Sequence, residues 1–179
     1  MIPEKQAAIE AIEAKRDVIA DVADHIWEYA ELSLQEEKSA ALYCDVLERE
    51  GFQVEKGICG IETAFSATYG SGRPLIGILA EYDALSGLSQ KAGSLTREEL
   101  VPGGCGHGCG HNLLGAGAMA AAIGIRAYLK QSKMPGTVIF YGCPGEEGGA
   151  AKAFMARDGV WRKLDAALTW HPEDMNEVE

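Results

Sequence analysis

The sequence predicts an α/β layered domain with helices on both faces of a sheet, and three observations carry that reading. Helical periodicity fills most of the first fifty residues. The run Leu75-Ile76-Gly77-Ile78-Leu79-Ala80 is continuously apolar, as expected of a strand covered on both faces. Beyond it, strand-like and helix-like segments alternate. With 179 residues, 47% of them hydrophobic, the chain suits one domain with a real core.

Each element has its own signal. From Pro3 to about Ala30, apolar residues recur at Ile9, Ile12, Ile19, Ala23 and Ile26, which predicts one helix with a charged outer face. Residues Glu36 to Glu50 form a second, ended by Gly51. Phe52–Glu55, Thr63–Tyr69 and Pro74–Ala80 read as strands, with Gly70-Ser71-Gly72 as the turn between the last two. Residues 86–108 make a long loop, and loops of that length are more often functional than idle. Asn112 suits a helix N-cap ahead of Leu113–Lys130, whose small side chains (Gly115, Gly117, Ala120, Gly124) would let it lie close on a sheet. Thr137–Cys143 is a second buried-type strand, Ala150–Arg157 a short helix, and Asp165–Trp170 the last strand. The acidic tail Glu173–Glu179 reads as solvated.

Composition excludes some partners. A net charge of −11 and a pI near 4.8 argue against nucleic acid and anionic membrane surfaces. The start shows no signal-peptide pattern, and the charge-free helical run Leu113–Ile125 is too short for a bilayer. Five cysteines are an odd, sparse set rather than a disulfide framework, so a reducing, cytoplasmic setting is expected.

The stretch Gly103-Gly104-Cys105-Gly106-His107-Gly108-Cys109-Gly110-His111-Asn112 alternates potential metal ligands with glycine. Thiolate and imidazole suit a borderline transition metal. Other polar groups fall at strand ends: Asp83 after Ala80, Glu146 and Glu147 after Cys143, and His171 after Trp170. In open α/β sheets, ligands bind outside the carboxyl ends of the strands, so parallel strands would gather these residues with Cys109 and His111 at one edge. Simpler readings compete. Asp83 would serve as a turn former, the glutamate pair as a helix start, and Cys105, His107, Cys109 and His111 as a structural zinc knot. A Cys, two His and a carboxylate can hold one or two divalent ions, leaving an adjacent carboxylate free. A metal lowers the pKa of water and polarises a carbonyl while a free carboxylate takes the proton, the chemistry of amide hydrolysis.

Four stretches, in order, resemble one family: Glu81-Tyr82-Asp83-Ala84-Leu85 with Gly87-Leu88-Ser89-Gln90; His107 to Leu114; Tyr141-Gly142-Cys143-Pro144 with Glu146-Glu147-Gly148-Gly149; and Thr169-Trp170-His171-Pro172. The chain is similar, from about residue 15 onward, to the di-metal amidohydrolases of the aminoacylase and carboxypeptidase superfamily. Within it, the likeness is to the cysteine-ligand branch that includes the aminobenzoyl-glutamate hydrolase subunits. The resemblance implies a three-layer α/β/α zinc-peptidase-like catalytic domain. It makes Cys109, His111, Glu147 and His171 ligands to two divalent ions (manganese or zinc, with cobalt also used), Glu146 the general base, and Asp83 an orienting residue. It implies a small N-acyl or N-aroyl amino acid or dipeptide as substrate, and a homodimer or heterodimer when full length. Ser86 stands where the family usually has proline, and Gly145 where a small side chain is usual. Family members run to about twice this length, so residues 1–179 are expected to be the N-terminal portion of the catalytic domain, inactive alone. The remaining strands, the lid or dimerisation domain and a further metal-binding His would lie elsewhere.

Overall fold

The computed structural model describes residues 2–175. The N-terminal helical pattern gives two helices, α1 (Pro3–Glu13) and α2 (Arg16–Tyr29), rather than one. The break at Ala14-Lys15 has no local cause, since both are good helix formers. Packing decides it: both helices lie on the same long helix, α4 (His111–Ser132), and Lys15 reaches aside to pair with Glu50 at 2.5 Å. Helix α3 (Glu37–Arg49) has no side-chain cap of its own at Glu36. Instead the Glu31 carboxylate accepts the N–H groups of Lys38 and Ser39 at 3.0 and 2.9 Å, binding donors the helix start leaves free.

Five strands form one mixed sheet: β1 (Gln53–Lys56), β2 (Phe65–Ser71), β3 (Leu75–Ala80), β4 (Gly136–Gly142) and β5 (Ala166–Leu168), in the spatial order β1-β2-β4-β3-β5. The pairs β1–β2 and β2–β4 are antiparallel, whereas β3 is parallel to both β4 and β5. β2 and β3 are therefore not partners, despite the short turn between them; β4 lies between. The last strand is shorter than Asp165–Trp170 and is an exposed edge.

Alternation along the central strand β4 creates the layers. Val138 and Phe140 join Ile78, Ala80, Tyr43, Leu47, Met119 and Ile123 under α2, α3 and α4. Ile139, Tyr141 and Cys143 face the other way, against Met155 of α5 (Ala151–Arg157), Trp161 of the following 3-10 turn and Leu164 just after it. Helices thus cover both faces, as the sequence implied. By length and composition α4 could cross a membrane, being longer than the Leu113–Ile125 run; its residues are largely buried against the sheet, α1 and α2, as in a core helix. Residues 176–179 of the acidic tail lie outside the described residues.

Candidate metal centre

The three parallel strands β3, β4 and β5 end at one edge, and each delivers polar residues there. Asp83 follows β3, Glu146 and Glu147 follow β4, and His171 follows β5. α4 starts at the same edge. Its N-cap is Gly110 rather than Asn112, so His111 is the first helical residue. Asn112 lies inside the first turn, where its Nδ2 donates to the Ala23 carbonyl at 3.3 Å.

His111 is fully buried and is the hub. Its Nδ1 is 2.9 Å from Asp83 Oδ1 and 3.1 Å from the Asp83 carbonyl, so Nδ1–H donates to Asp83, and on loss of the second ring proton it is Nε2 that offers a lone pair. Nε2 is buried and paired with Glu81 Oε2 at 3.0 Å, with Glu146 Oε2 and Glu147 Oε1 at 3.9 and 4.0 Å. Glu147 Oε1 is buried and unpartnered. On the open side, Cys109 Sγ lies 3.2 Å from His171 Nε2. His171 Nδ1–H donates to the Pro172 carbonyl at 2.9 Å, which turns the Nε2 lone pair toward the thiol.

Two groups of ligand atoms gather within 4.8 Å: Cys109, His111 and His171, and Glu81, His111 and Glu146. Glu147 is outside both triplets, with its unpartnered oxygen facing His111. The His111–Glu81 pair and the unpartnered Glu147 Oε1, beside a thiol and a second imidazole, make a donor set that fits a divalent cation. Of the sequence-selected residues, Cys109, His111, Glu146, Glu147, His171 and Asp83 all meet at this edge. Among the described residues, Cys105 and His107 join no such group. The loop carries them back onto α2, where His107 Nε2 lies 2.9 Å from the Ile26 carbonyl, beside a cavity of about 370 Å³ lined also by Trp27, Leu88 and Cys105. The four-ligand zinc knot is therefore not formed.

The electrostatics are those of a site built around positive charge. Burial works against protonation of His111, yet the carboxylates of Asp83 and Glu81 carry its pKa up to about 10. Burial pushes the Cys109 thiol up to about 11, helped by Glu147, Glu146 and Glu81. Burial alone would raise Asp83, but His111, the Glu147 N–H and the Ser33 hydroxyl hold it below its ordinary value.

Several participants were not legible in the sequence. Glu81 pairs with both His111 and Lys152 of α5. Ser33 donates to Asp83 Oδ2 at 2.7 Å, and Glu36, fully buried, accepts the Gly145 N–H at 2.7 Å and the Thr63 hydroxyl at 3.1 Å. A glutamate opening a helix looks like a dipole-favoured surface residue; only its partners reveal otherwise.

A sheet edge that gathers His, Cys and paired glutamates on this fold is a candidate metal centre. The chain belongs to Peptidase family M20/M25/M40, whose model matches residues 77–178. It is 52% identical over 164 residues to a p-aminobenzoyl-glutamate hydrolase subunit of Escherichia coli, covering 92% of this chain and 34% of that protein. It is 28% identical to the human Xaa-Arg dipeptidase over 96% of this chain and 39% of that protein. The YXEP protein of Bacillus subtilis, a dinuclear metal-binding peptidase of the M20 family, superposes with a TM-score of 0.68 at 27% identity, covering 87% of this chain and 42% of that structure. The chain thus spans little more than a third of the length of the relatives it matches.

Proposed function

We propose that this chain provides the metal-binding part of an amidohydrolase that cleaves the amide bond of an N-acyl or N-aroyl amino acid, or of a small dipeptide. The observation that carries this reading is the convergence of Cys109, His111 and His171 ligand atoms within 4.8 Å, with the buried, unpartnered Glu147 Oε1 4.0 Å from His111 Nε2. The 52% identity to a p-aminobenzoyl-glutamate hydrolase subunit favours p-aminobenzoyl-glutamate as substrate.

In this reading Cys109, His111, Glu147 and His171 hold two divalent ions, manganese or zinc, with cobalt as a further candidate. When bound, the ions supply Lewis acidity to the scissile carbonyl and to water. Glu146, with 40% of its side chain exposed, is the free carboxylate at the mouth of the site. It takes the proton of the attacking water and returns it to the leaving amine. Asp83 holds the His111 ring by its Nδ1–H, which keeps Nε2 available. The reading includes a soluble cytoplasmic setting and a dimer, of like or unlike chains, in the complete enzyme.

The short span against its relatives favours a second reading: these 179 residues bind metal or a partner chain without turnover and depend on further chain to complete the site. Two assays separate the readings. Glu146→Gln in the intact, metal-loaded protein should abolish turnover with metal retained; near-normal turnover would end the general-base assignment. The 179-residue chain alone should be inactive and gain activity with a chain supplying the remainder; activity alone would refute the need for completion.

A further inference from the structure

The segment joining α2 to α3, residues 30–36, holds none of the ligands, yet it touches the loops after β3 and β4 that present several of them. The Glu31 carbonyl accepts the Ala84 N–H at 2.8 Å, and Leu32 bridges to Ala84. The Ser33 hydroxyl binds Asp83. Leu34 packs under the loop after β4 so closely that a Cβ at Gly145 would come within 2.9 Å of it. Glu36, from the end of this segment, crosses 109 residues of sequence to accept the Gly145 N–H.

Gly145 immediately precedes Glu146, and its peptide is held on both sides. Its N–H goes to Glu36, and its carbonyl accepts the Gly149 N–H at 2.8 Å. Its φ of +65° is a conformation most side chains resist. The other oxygen of Glu36 takes the Thr63 hydroxyl, and Tyr82 Oη donates to the Thr63 carbonyl at 2.7 Å, so the glutamate is itself fixed. Burial raises the Glu36 pKa, and the backbone N–H groups of Glu36, Leu34 and Gly145 oppose that by favouring its charged form. Of these backbone donors, the Gly145 N–H is the one that belongs to the loop after β4.

We propose that Glu36 is a positioning residue for the catalytic carboxylate: by fixing the Gly145 peptide, it sets where the Glu146 side chain enters the site. This rests on the reading of Glu146 as general base. It differs from the role of Asp83, which binds the His111 ring and the Glu147 N–H. A misplaced base loses rate rather than substrate affinity, and small displacements are expensive, about 10²-fold for 1 Å.

The test uses the intact, manganese-loaded protein with Glu36→Asp, Glu36→Gln and Glu36→Ala, and Glu146→Gln as control. Aspartate keeps the charge but withdraws the oxygen by one methylene; glutamine keeps a carbonyl oxygen at full reach. Glu36→Asp and Glu36→Ala should lower kcat by about 10²-fold, with KM and bound manganese unchanged, and Glu36→Gln should recover most of the loss. Amide exchange at Gly145 should be slow in the wild type and in Glu36→Gln, and fast in Glu36→Asp. Should Glu36→Ala not fold, the aspartate and glutamine variants decide. A wild-type kcat in Glu36→Asp, equal impairment of Glu36→Gln, or unchanged Gly145 exchange would each overturn the proposal. If Glu146→Gln keeps its turnover, the general-base reading fails instead, and Gly145 exchange still reports whether Glu36 holds the loop.

Discussion

Cys109 Sγ and His171 Nε2 lie 3.2 Å apart although 62 residues separate them in the chain. One comes from the loop before α4, the other from the end of the edge strand β5. Their meeting depends on β5 running parallel to β3, so that His171 emerges at the edge where α4 begins. If both are ligands, Cys109→Ser should weaken metal binding without unfolding the chain, by at least the 10- to 100-fold typical even for outer partners of a metal site. Competition against a chelator would measure this, and unchanged affinity would remove Cys109 from the ligand set.

Metal binding should release protons. Before a cation arrives, the His111 pKa lies near 10 and the Cys109 pKa near 11, so both carry protons at neutral pH. Ligation needs the neutral imidazole and the thiolate. Affinity should therefore rise with pH between about 6 and 9, a window below both values. Titration calorimetry in buffers of different ionisation enthalpy reads the released protons directly. A buffer-independent enthalpy would contradict this account.

The metal-free chain should show the opposite trend in stability. His111 has a folded pKa above its ordinary value, so its contribution is fully present below about 6.5 and is lost as pH rises toward 10. Urea unfolding of the metal-free protein should give midpoints that fall between about pH 7 and pH 9. The same series in His111→Gln should lose most of that slope.

Asp83 joins three loops: it accepts the His111 Nδ1–H, the Ser33 hydroxyl and, at 2.9 Å, the Glu147 N–H. Asp83→Asn substitutes an amide that can donate where two of these donors already point. Metal affinity should fall by about 10- to 100-fold, the usual loss for an outer partner of a ligating His. Wild-type affinity would show that the ring is held by other contacts.

The stripe of small residues on α4 has a checkable packing consequence. A Cβ at Gly115 would collide with Tyr43 Oη and stand 2.7 Å from the Glu81 carbonyl. Gly115→Ala should cost about 1–3 kcal/mol by overpacking, read from urea midpoints, and should disturb Glu81 at the site. A neutral or stabilising effect would mean that α4 can slide without strain.

The helical and strand periodicities were readable because they are local: β4 is apolar on both faces, and α3 repeats its apolar residues every three or four positions. That the six candidate residues share one edge was suggested for a related reason, since each lies just after a strand or at or just before a helix start. Other features left no local trace. Neither Ala14 nor Lys15 signals the break between α1 and α2, and Asn112 has a better capping composition than the glycine that takes the position. Glu81, Ser33, Glu36 and Lys152 were invisible as participants because a single carboxylate, hydroxyl or ammonium is indistinguishable in sequence from a solvated one.

What the sequence by itself determined is the identity of the elements and which residue sits at each strand end, because backbone periodicity and glycine breaks are short-range effects. What the tertiary structure decided is the strand order β1-β2-β4-β3-β5 and the parallel run of its last three strands. That order turns separate strand ends into one site, and it brings Glu36 to a peptide 109 positions away. Such contacts arise from burial shared between distant segments, and no local pattern encodes them.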